Sequence, residues 1–584
     1  MPNRSDTLSN LDRISHITDV HPRKPLADND YEDQLETASE VSLDEELTKI
    51  KILTSVPSKL RSRPNGVVDN GLKQLDNLQL EKIFASILVK NNVREQRAKR
   101  AEGNFKSNFA DITSKPVVHS IFDAPYFKNS EFYGFYILFW LGTGFLFLQD
   151  ILHNYFEAGT TIFSGPVFAI FSTGLIKIAF TDLMMYLTIY FAYFIQYLCS
   201  QGWIQWYTSG WILQSVYEGL YTVFWILFVS NSVMKDQWIG RVFLVLHLFV
   251  LLMKMHSYAF YNGYLWSILR ELQFSEKYLT RLQNREAELP DGYSVEYTRK
   301  LLLSSIAFSK FELLHQSGLL EQAKEKDVLE KDSHVLCGEL VKFPGNVNIK
   351  NFFDYTMYPT TVYELVYPRT KKIRWMYFFE KLCALFGVIF LMLVVAEHSI
   401  YPLVQKCNDM RTKNLSSYDK AVFFLLTLFD MIPPFMMEYL FVFHLIWDTI
   451  LNAVAEVSQF ADRDFYGPWW SCTDWSEYSR LWNKPVHRFL LRHVYHSSIS
   501  ALNVSKLWAT LLTFTISSIV HELVMYTIFG RLRGYLFYFQ MGQIPLVLLS
   551  RSRFMRDKKV LGNVICWFGF VSGPAIICTL YLVY

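Results

Sequence analysis

The chain has 584 residues, 51% of them hydrophobic and 17% aromatic, with a formal net charge of +3. So small a charge gives nucleic acid no strong basic footprint. Its seven scattered cysteines make neither a CxxC pair nor a disulfide framework, and its 14 histidines lack zinc-finger spacing.

The averages hide a sharp asymmetry. Residues 1–120 are polar, with an acidic run "DNDYEDQLETASEVSLDEE" and a basic one "VREQRAKRAEGNFKSNF". A segment with so little apolar surface cannot offset chain entropy and is expected to be mostly disordered. The exception is "LKQLDNLQLEKIFASILVK" at 72–90, which reads as a short amphipathic helix. No signal-peptide core opens the chain, so the tail is expected to stay cytosolic while an internal segment enters the membrane.

From residue 121 to 584 the chain reads as one transmembrane domain. "FYGFYILFWLGTGFLFLQ", "WILQSVYEGLYTVFWILFVS" and "RVFLVLHLFVLLMKMHSYAFY" each approach the ~20 residues that cross a bilayer. Residues 161–200 form an apolar stretch that would be ~60 Å long as one straight helix, so a bend or a second crossing is required. A polar loop near 272–375 carries "YPRTKKIRW", and its basic residues favour the cytosolic side. The next crossings fall near 380–396 and 421–454, the latter interrupted at Pro433 and Pro434. A second cytosolic loop covers 458–506, and three crossings follow near 508–529, 535–549 and 563–582. The expectation is an all-α polytopic membrane protein of about nine crossings, with the C-terminus on the far side. Glycan occupancy of the sequon at Asn414 would report that topology.

The segment "TISSIVHELVMYTIF" sets His521 and Glu522 side by side among apolar residues. An unpartnered ionisable group in hydrocarbon costs several kcal/mol, so the pair should face protein or water. Ser517 and Ser518 precede His521 by four and three positions and share its helix face. A zinc-protease HExxH motif needs a second histidine where Met525 stands. A buried structural hydrogen bond, a proton relay or a positioned general base remain as readings. A transporter would show inverted repeats, and none is evident.

The preceding loop reads "FADRDFYGPWWSCTDWSEYSRLWNKPVHRFLLRHVYHSSIS". It crowds Trp469, Trp470, Trp475 and Trp482 among Arg463, Arg480, Lys484, Arg488 and Arg492. Pro485 suits a helix start with Asn483 just outside it. Such density fits an interfacial aromatic belt with a basic rim, or the mouth of a site for an anionic, planar, partly apolar molecule.

These stretches resemble the membrane-bound O-acyltransferase (MBOAT) superfamily, and within it the fungal sterol O-acyltransferases, over about 133–584. "SSIVHELVMY" matches the helix with the family's catalytic histidine, which falls on His521. "RLWNKPVHRFLLRHVY" places the active-site asparagine at Asn483, and "MKMHSY" and "YPTTVYELVYPRT" match two further segments. One departure stands out, since the family loop F-Y-x-D-W-W-N here reads "FYGPWWS", with Pro468 for aspartate and Ser471 for asparagine. The resemblance implies an MBOAT fold with a catalytic chamber inside the bundle, in the endoplasmic reticulum membrane, as a homodimer or homo-oligomer. It implies transfer of a fatty acyl group from acyl-CoA to a membrane sterol, with no permanently bound cofactor. His521 would act as general base, Asn483 would hold the thioester, and Glu522 would support the histidine. Trp482 and His487 would wall the site, while Tyr466, Trp469, Trp470 and Arg488 would serve the acyl-CoA. The sister branch that acylates diacylglycerol, and a lipid sensor of little or no activity, are the competing expectations.

Overall fold

The computed structural model describes residues 77–100, 105–107, 109, 112, 114–157, 165–230, 238–286, 289, 293–318, 335–337, 340–413, 416–502, 504–550, 552, 555 and 558–584. Most of the polar tail and the Asn414 sequon lie outside these residues. The chain divides into two units, one containing residues 85–111 and the other containing 58–84 and 112–584. Helix α1 (Asn77–Arg100) contributes to both, and residues 72–76 of the expected 72–90 segment lie outside the described residues. In the first unit Arg94 donates to the Asn91 side chain one turn earlier. In the second, Phe84 is fully buried among the rings of Phe274, Tyr278 and Tyr293.

Among its described residues the second unit is helical apart from one two-stranded sheet. Strands β1 (Val335–Cys337) and β2 (Pro368–Thr370) pair antiparallel, with Leu336 opposite Arg369. Among the described residues seven helices are long and apolar enough to cross a membrane, where the sequence led us to expect nine. They run Tyr133–Phe156 (α2), Pro166–Ser200, Ile239–Gln283, Trp375–Arg411, Ser417–Val457, Lys506–Phe529 and Lys559–Val583. The two shortfalls have physical causes. Helix α3 (Trp211–Phe228) carries Gln214 and Glu218 within its 18 residues. The segment expected to cross near 535–549 divides at Gly542 into Tyr535–Met541 and Gln543–Ser550, each too short alone.

Two other expectations resolve differently. The 161–200 stretch bends at Thr173–Gly174, where Gly174 takes a left-handed φ of 71°, so one span absorbs it. Pro433 and Pro434 do not break their helix: α6 (Ser417–Phe443) carries both within it, and the irregularity comes later, as a π-helical segment at His444–Ile450. Much of the expected cytosolic loop at 272–375 is ordered helix. Helix α4 (Trp238–Gln283) has 46 residues, so it extends ~69 Å, well beyond a bilayer core. It packs along α5 (Val295–Gln316), whose start is capped by Ser294 accepting from the Tyr297 N–H.

Buried ions stitch the spans together. Lys381 lies 3.0 Å from Asp123 and 2.9 Å from Asp448, and all three side chains are buried. Ser120 and Tyr466 donate to Asp448, and Tyr377 donates to Asp123. A second cluster sets Glu456 between Arg374 and Arg463 at 2.8 and 2.6 Å. Tyr377 joins the two, its ring under the Arg374 and Lys381 cations. Each charge is tolerable in a low-dielectric interior only because its neighbours satisfy it.

Candidate functional site

Helix α8 (Lys506–Phe529) carries the ionisable pair and ends at Gly530, whose left-handed φ of 67° stops the helix. It packs against α4, the π-helical segment Leu490–His496 and α9 (Tyr535–Met541). The two side chains of the pair have different fates. His521 is not covered by other protein side chains, and its Nδ1 lies 2.7 Å from the Ser517 carbonyl oxygen. A carbonyl only accepts, so Nδ1 must carry the proton of that bond. In the neutral imidazole the lone pair then sits on Nε2, pointing away from the helix backbone. That is the tautomer a general base needs. Ser518, on the same face, is buried and donates to the Phe514 carbonyl.

Glu522 is 5% exposed, and its carboxylate accepts three hydrogen bonds. The donors are Gly534 N–H at 2.6 Å, Phe537 N–H at 3.1 Å and the Tyr581 hydroxyl at 2.8 Å.

The loop before α8 is folded around its own charges. Asn483 caps the short helix α7 (Lys484–Phe489), its Oδ1 accepting from the Val486 N–H at 3.2 Å. This is the helix start that Pro485 signals in the sequence. With Oδ1 so engaged, the amide NH2 is the end of Asn483 that can donate to a ligand. Arg488 is held by Asp462 at 2.8 Å and Asp464 at 3.2 Å, and Lys484 also pairs with Asp464 at 2.5 Å. Arg492 turns inward to the Ile112 carbonyl at 2.7 Å and toward Glu364 at 3.8 Å. Much of the basic face read from the sequence is therefore compensated by carboxylates. His487 is half-buried, and burial together with Arg480, Arg488 and Lys484 pushes its imidazole down to about 4.

The aromatic residues divide between core and cleft. Trp469 is 1% exposed and sits among Tyr439, Phe443, Trp482 and Phe570. Tyr466 is buried on Asp448. Trp482 stacks on Tyr439 with centroids 4.8 Å apart. Trp470 stacks on Phe122 and, with Pro468, lines a cleft of about 770 Å³. Its other walls include Phe127, Leu440, His444 and Trp567. The loop at residues 470–472 is also held by the last helix. Asn563 donates to the carbonyls of Trp470 and Cys472 at 3.0 and 2.9 Å, and the Trp567 indole donates to the former.

Some of these partners escaped the sequence reading. Lys381 and Asp448, charges within apolar runs, were a signal that could have been followed. Asp462, Asp464 and Asn563 were visible only as residue types, and nothing local names Tyr581 as the partner of Glu522. Among the described residues no cluster of His, Cys, Asp or Glu is arranged to hold a metal.

Residues 132–583 match the family model described as MBOAT, membrane-bound O-acyltransferase family. The chain is 51% identical over 527 residues to "Sterol O-acyltransferase 2" of Candida albicans, covering 89% of this chain and 85% of that one. It is 44% identical over 457 residues to "Sterol O-acyltransferase 2" of Saccharomyces cerevisiae, covering 78% and 67%. To "Sterol O-acyltransferase 1" of the same yeast it is 40% identical over 459 residues, covering 78% and 70%.

Proposed function

The chain belongs to the membrane-bound O-acyltransferase family, on its sterol O-acyltransferase branch, and from that premise we propose that it esterifies a membrane sterol with a fatty acyl group taken from acyl-CoA. The observation that carries the mechanism is the bond from His521 to the Ser517 carbonyl. It leaves Nε2 free to accept the proton of the sterol 3-hydroxyl as that oxygen attacks the thioester carbon. The Asn483 amide donates to the thioester oxygen as negative charge develops there. The carbon–sulfur bond then breaks, the coenzyme A thiolate takes the proton from the imidazolium, and steryl ester and free coenzyme A leave. No covalent acyl-enzyme is needed, and acyl-CoA is a co-substrate with no permanent cofactor beside it.

The remaining roles belong to the same reading. Trp482 and His487 wall the site beside Asn483. Trp470 lines the cleft, where it serves acyl-CoA or lipid, with the largely buried Trp469 backing the same wall and Tyr466 holding the loop from behind. Arg488 acts through Asp462 and Asp464 to shape the loop. The chamber opens to the cytosol for acyl-CoA and to the bilayer for sterol. The setting is the endoplasmic reticulum membrane, with the N-terminus cytosolic, the C-terminus lumenal and the assembly a homodimer or larger.

The test is transfer from radiolabelled oleoyl-CoA by purified wild-type and His521→Ala protein, with sterol and diacylglycerol offered separately. Steryl ester formed by the wild type and lost in the variant is the expected result. Near-normal esterification by His521→Ala at normal abundance refutes the mechanism. Triacylglycerol as the sole product moves the chain to the diacylglycerol branch, and no product from either acceptor leaves a lipid sensor.

A further inference from the structure

We infer that Glu522 and Tyr581 form a positioning pair that sets the rotation of the His521 helix. The inference rests on the esterification reading and deepens it, because it assigns Glu522 a task other than chemistry and brings in a residue from the last helix. Helix α9 is preceded by Gly534 at its cap position, which has a left-handed φ of 76° and no side chain with which to cap the helix. Glu522 supplies the cap from α8: its two oxygens take the N–H groups of Gly534 and Phe537, the cap position and the third residue of the helix. A Cβ at Gly534 would come within 3.3 Å of the Tyr538 ring, on a backbone that L-residues rarely adopt.

The third donor comes from helix α10 (Lys559–Val583). The Tyr581 ring stacks on Phe529 with centroids 4.5 Å apart and meets Tyr535 edge-on at 5.1 Å. Met525, one turn after His521 on α8, packs into the same cluster with Ile577 and Tyr581. The hydroxyl of Tyr581 reaches Glu522 from this fixed ring. The carboxylate is thus anchored to two other helices.

Its partners leave little room for a second task. All three groups donate to Glu522, and the side chain is buried, so it is committed to its own helix contacts and not to the reacting atoms. Glu522 follows His521 by one position, which sets it about 100° round the helix. Fixing one therefore fixes the other. A rotation of about 20° at roughly 6 Å from the axis would shift Nε2 by roughly 2 Å, and a misplacement of about 1 Å can cost ~100-fold in rate.

The test uses purified full-length Tyr581→Phe, Glu522→Gln and the double variant in the oleoyl-CoA and sterol assay, with thermal melts for each. Tyr581→Phe keeps the stacked ring and removes only the hydroxyl, so it folds and melts near the wild type. We expect its kcat to fall about 10-fold while KM for both substrates stays within about twofold. We expect the double variant to be no slower than Glu522→Gln alone, because both changes break the same anchor. Wild-type kcat in Tyr581→Phe, a loss confined to KM, or additive losses in the double variant would overturn the inference while leaving esterification intact. Absence of ester from the wild type would overturn both.

Discussion

Asn483 is asked to do two jobs, and they separate by substitution. Its Oδ1 caps α7 through the Val486 N–H, and its NH2 is proposed to face the thioester oxygen. Asp and Ser cap about as well as Asn, so Asn483→Asp and Asn483→Ser should hold helix stability to within a few tenths of a kcal/mol. Both lack the NH2 donor. Loss of one preorganised donor to a developing oxyanion costs about 2.7–4 kcal/mol, or 10²–10³ in kcat. Asn483→Ala removes the cap as well, and should add about 1 kcal/mol of destabilisation to the same catalytic loss. The assay is kcat for oleoyl transfer to sterol, measured beside thermal melts of each detergent-solubilised variant. The serine variant matters because it carries no charge, which separates the lost donor from an added carboxylate. If Asn483→Ser and Asn483→Asp both retain at least a third of wild-type kcat, the residue is a helix cap and the oxyanion role falls.

Replacing Lys381 by Met strands two buried carboxylates, Asp123 and Asp448, and should cost about 3–5 kcal/mol. The readout is the folded fraction recovered after heating, against Lys420→Met at an exposed position, which should move stability by no more than about 0.5 kcal/mol. Acid sensitivity should come partly from His487, whose pKa lies at about 4 in the folded chain against the ordinary 6.5. Between those values the unfolded chain binds a proton that the folded one does not, so this group's effect is a loss of stability as pH falls from 6.5 toward 4 and none above 6.5. Melting temperatures at pH 7.5, 6 and 5 should therefore fall less steeply in His487→Gln than in the wild type.

Apolar length and motif spacing carried a good part of the reading, and both fail at identifiable places. The bend at Gly174 and the cap at Asn483 follow from local rules, a residue free to adopt positive φ and an amide beside a proline-started helix. The crossing count failed where hydropathy runs were judged without their interruptions, at Gln214 and Glu218 in α3 and at Gly542 before the last span. The proline pair in α6 failed in the opposite direction, because a helix packed among other helices can carry prolines that a local rule would call a break. At the site, His521 and Asn483 were marked by residue type at special positions. Their own bonds are local, to Ser517 and Val486, but the partners of their neighbours Arg488 and Glu522 lie far off in sequence. Arg488 meets Asp462 and Asp464 more than twenty positions earlier, and Glu522 meets Tyr581 59 positions later. No periodicity encodes such pairings, which arise only when the helices assemble.

One consequence of that assembly concerns α10, which touches the machinery at both ends. Near its start, Asn563 and Trp567 hold the carbonyls of Trp470 and Cys472, at the stretch "FYGPWWS" that is expected from the sequence to depart from the family's loop. Gly562 permits this approach, since a Cβ there would stand 2.4 Å from the Thr473 carbonyl oxygen. Near its end, Tyr581 holds Glu522. Asn563 and Tyr581 are 18 positions apart, ~27 Å along the helix, so one helix fixes the loop and the histidine helix relative to each other. Pro574 lies within the continuous helix between the two anchors, where its missing N–H leaves one backbone bond unmade. The loop thus has an anchor supplied by backbone carbonyls, which do not depend on the side chains at positions 468 and 471. Proline and serine at those positions are compatible with a well-held loop for that reason, and the departure bears on what lines the cleft more than on whether the loop is formed.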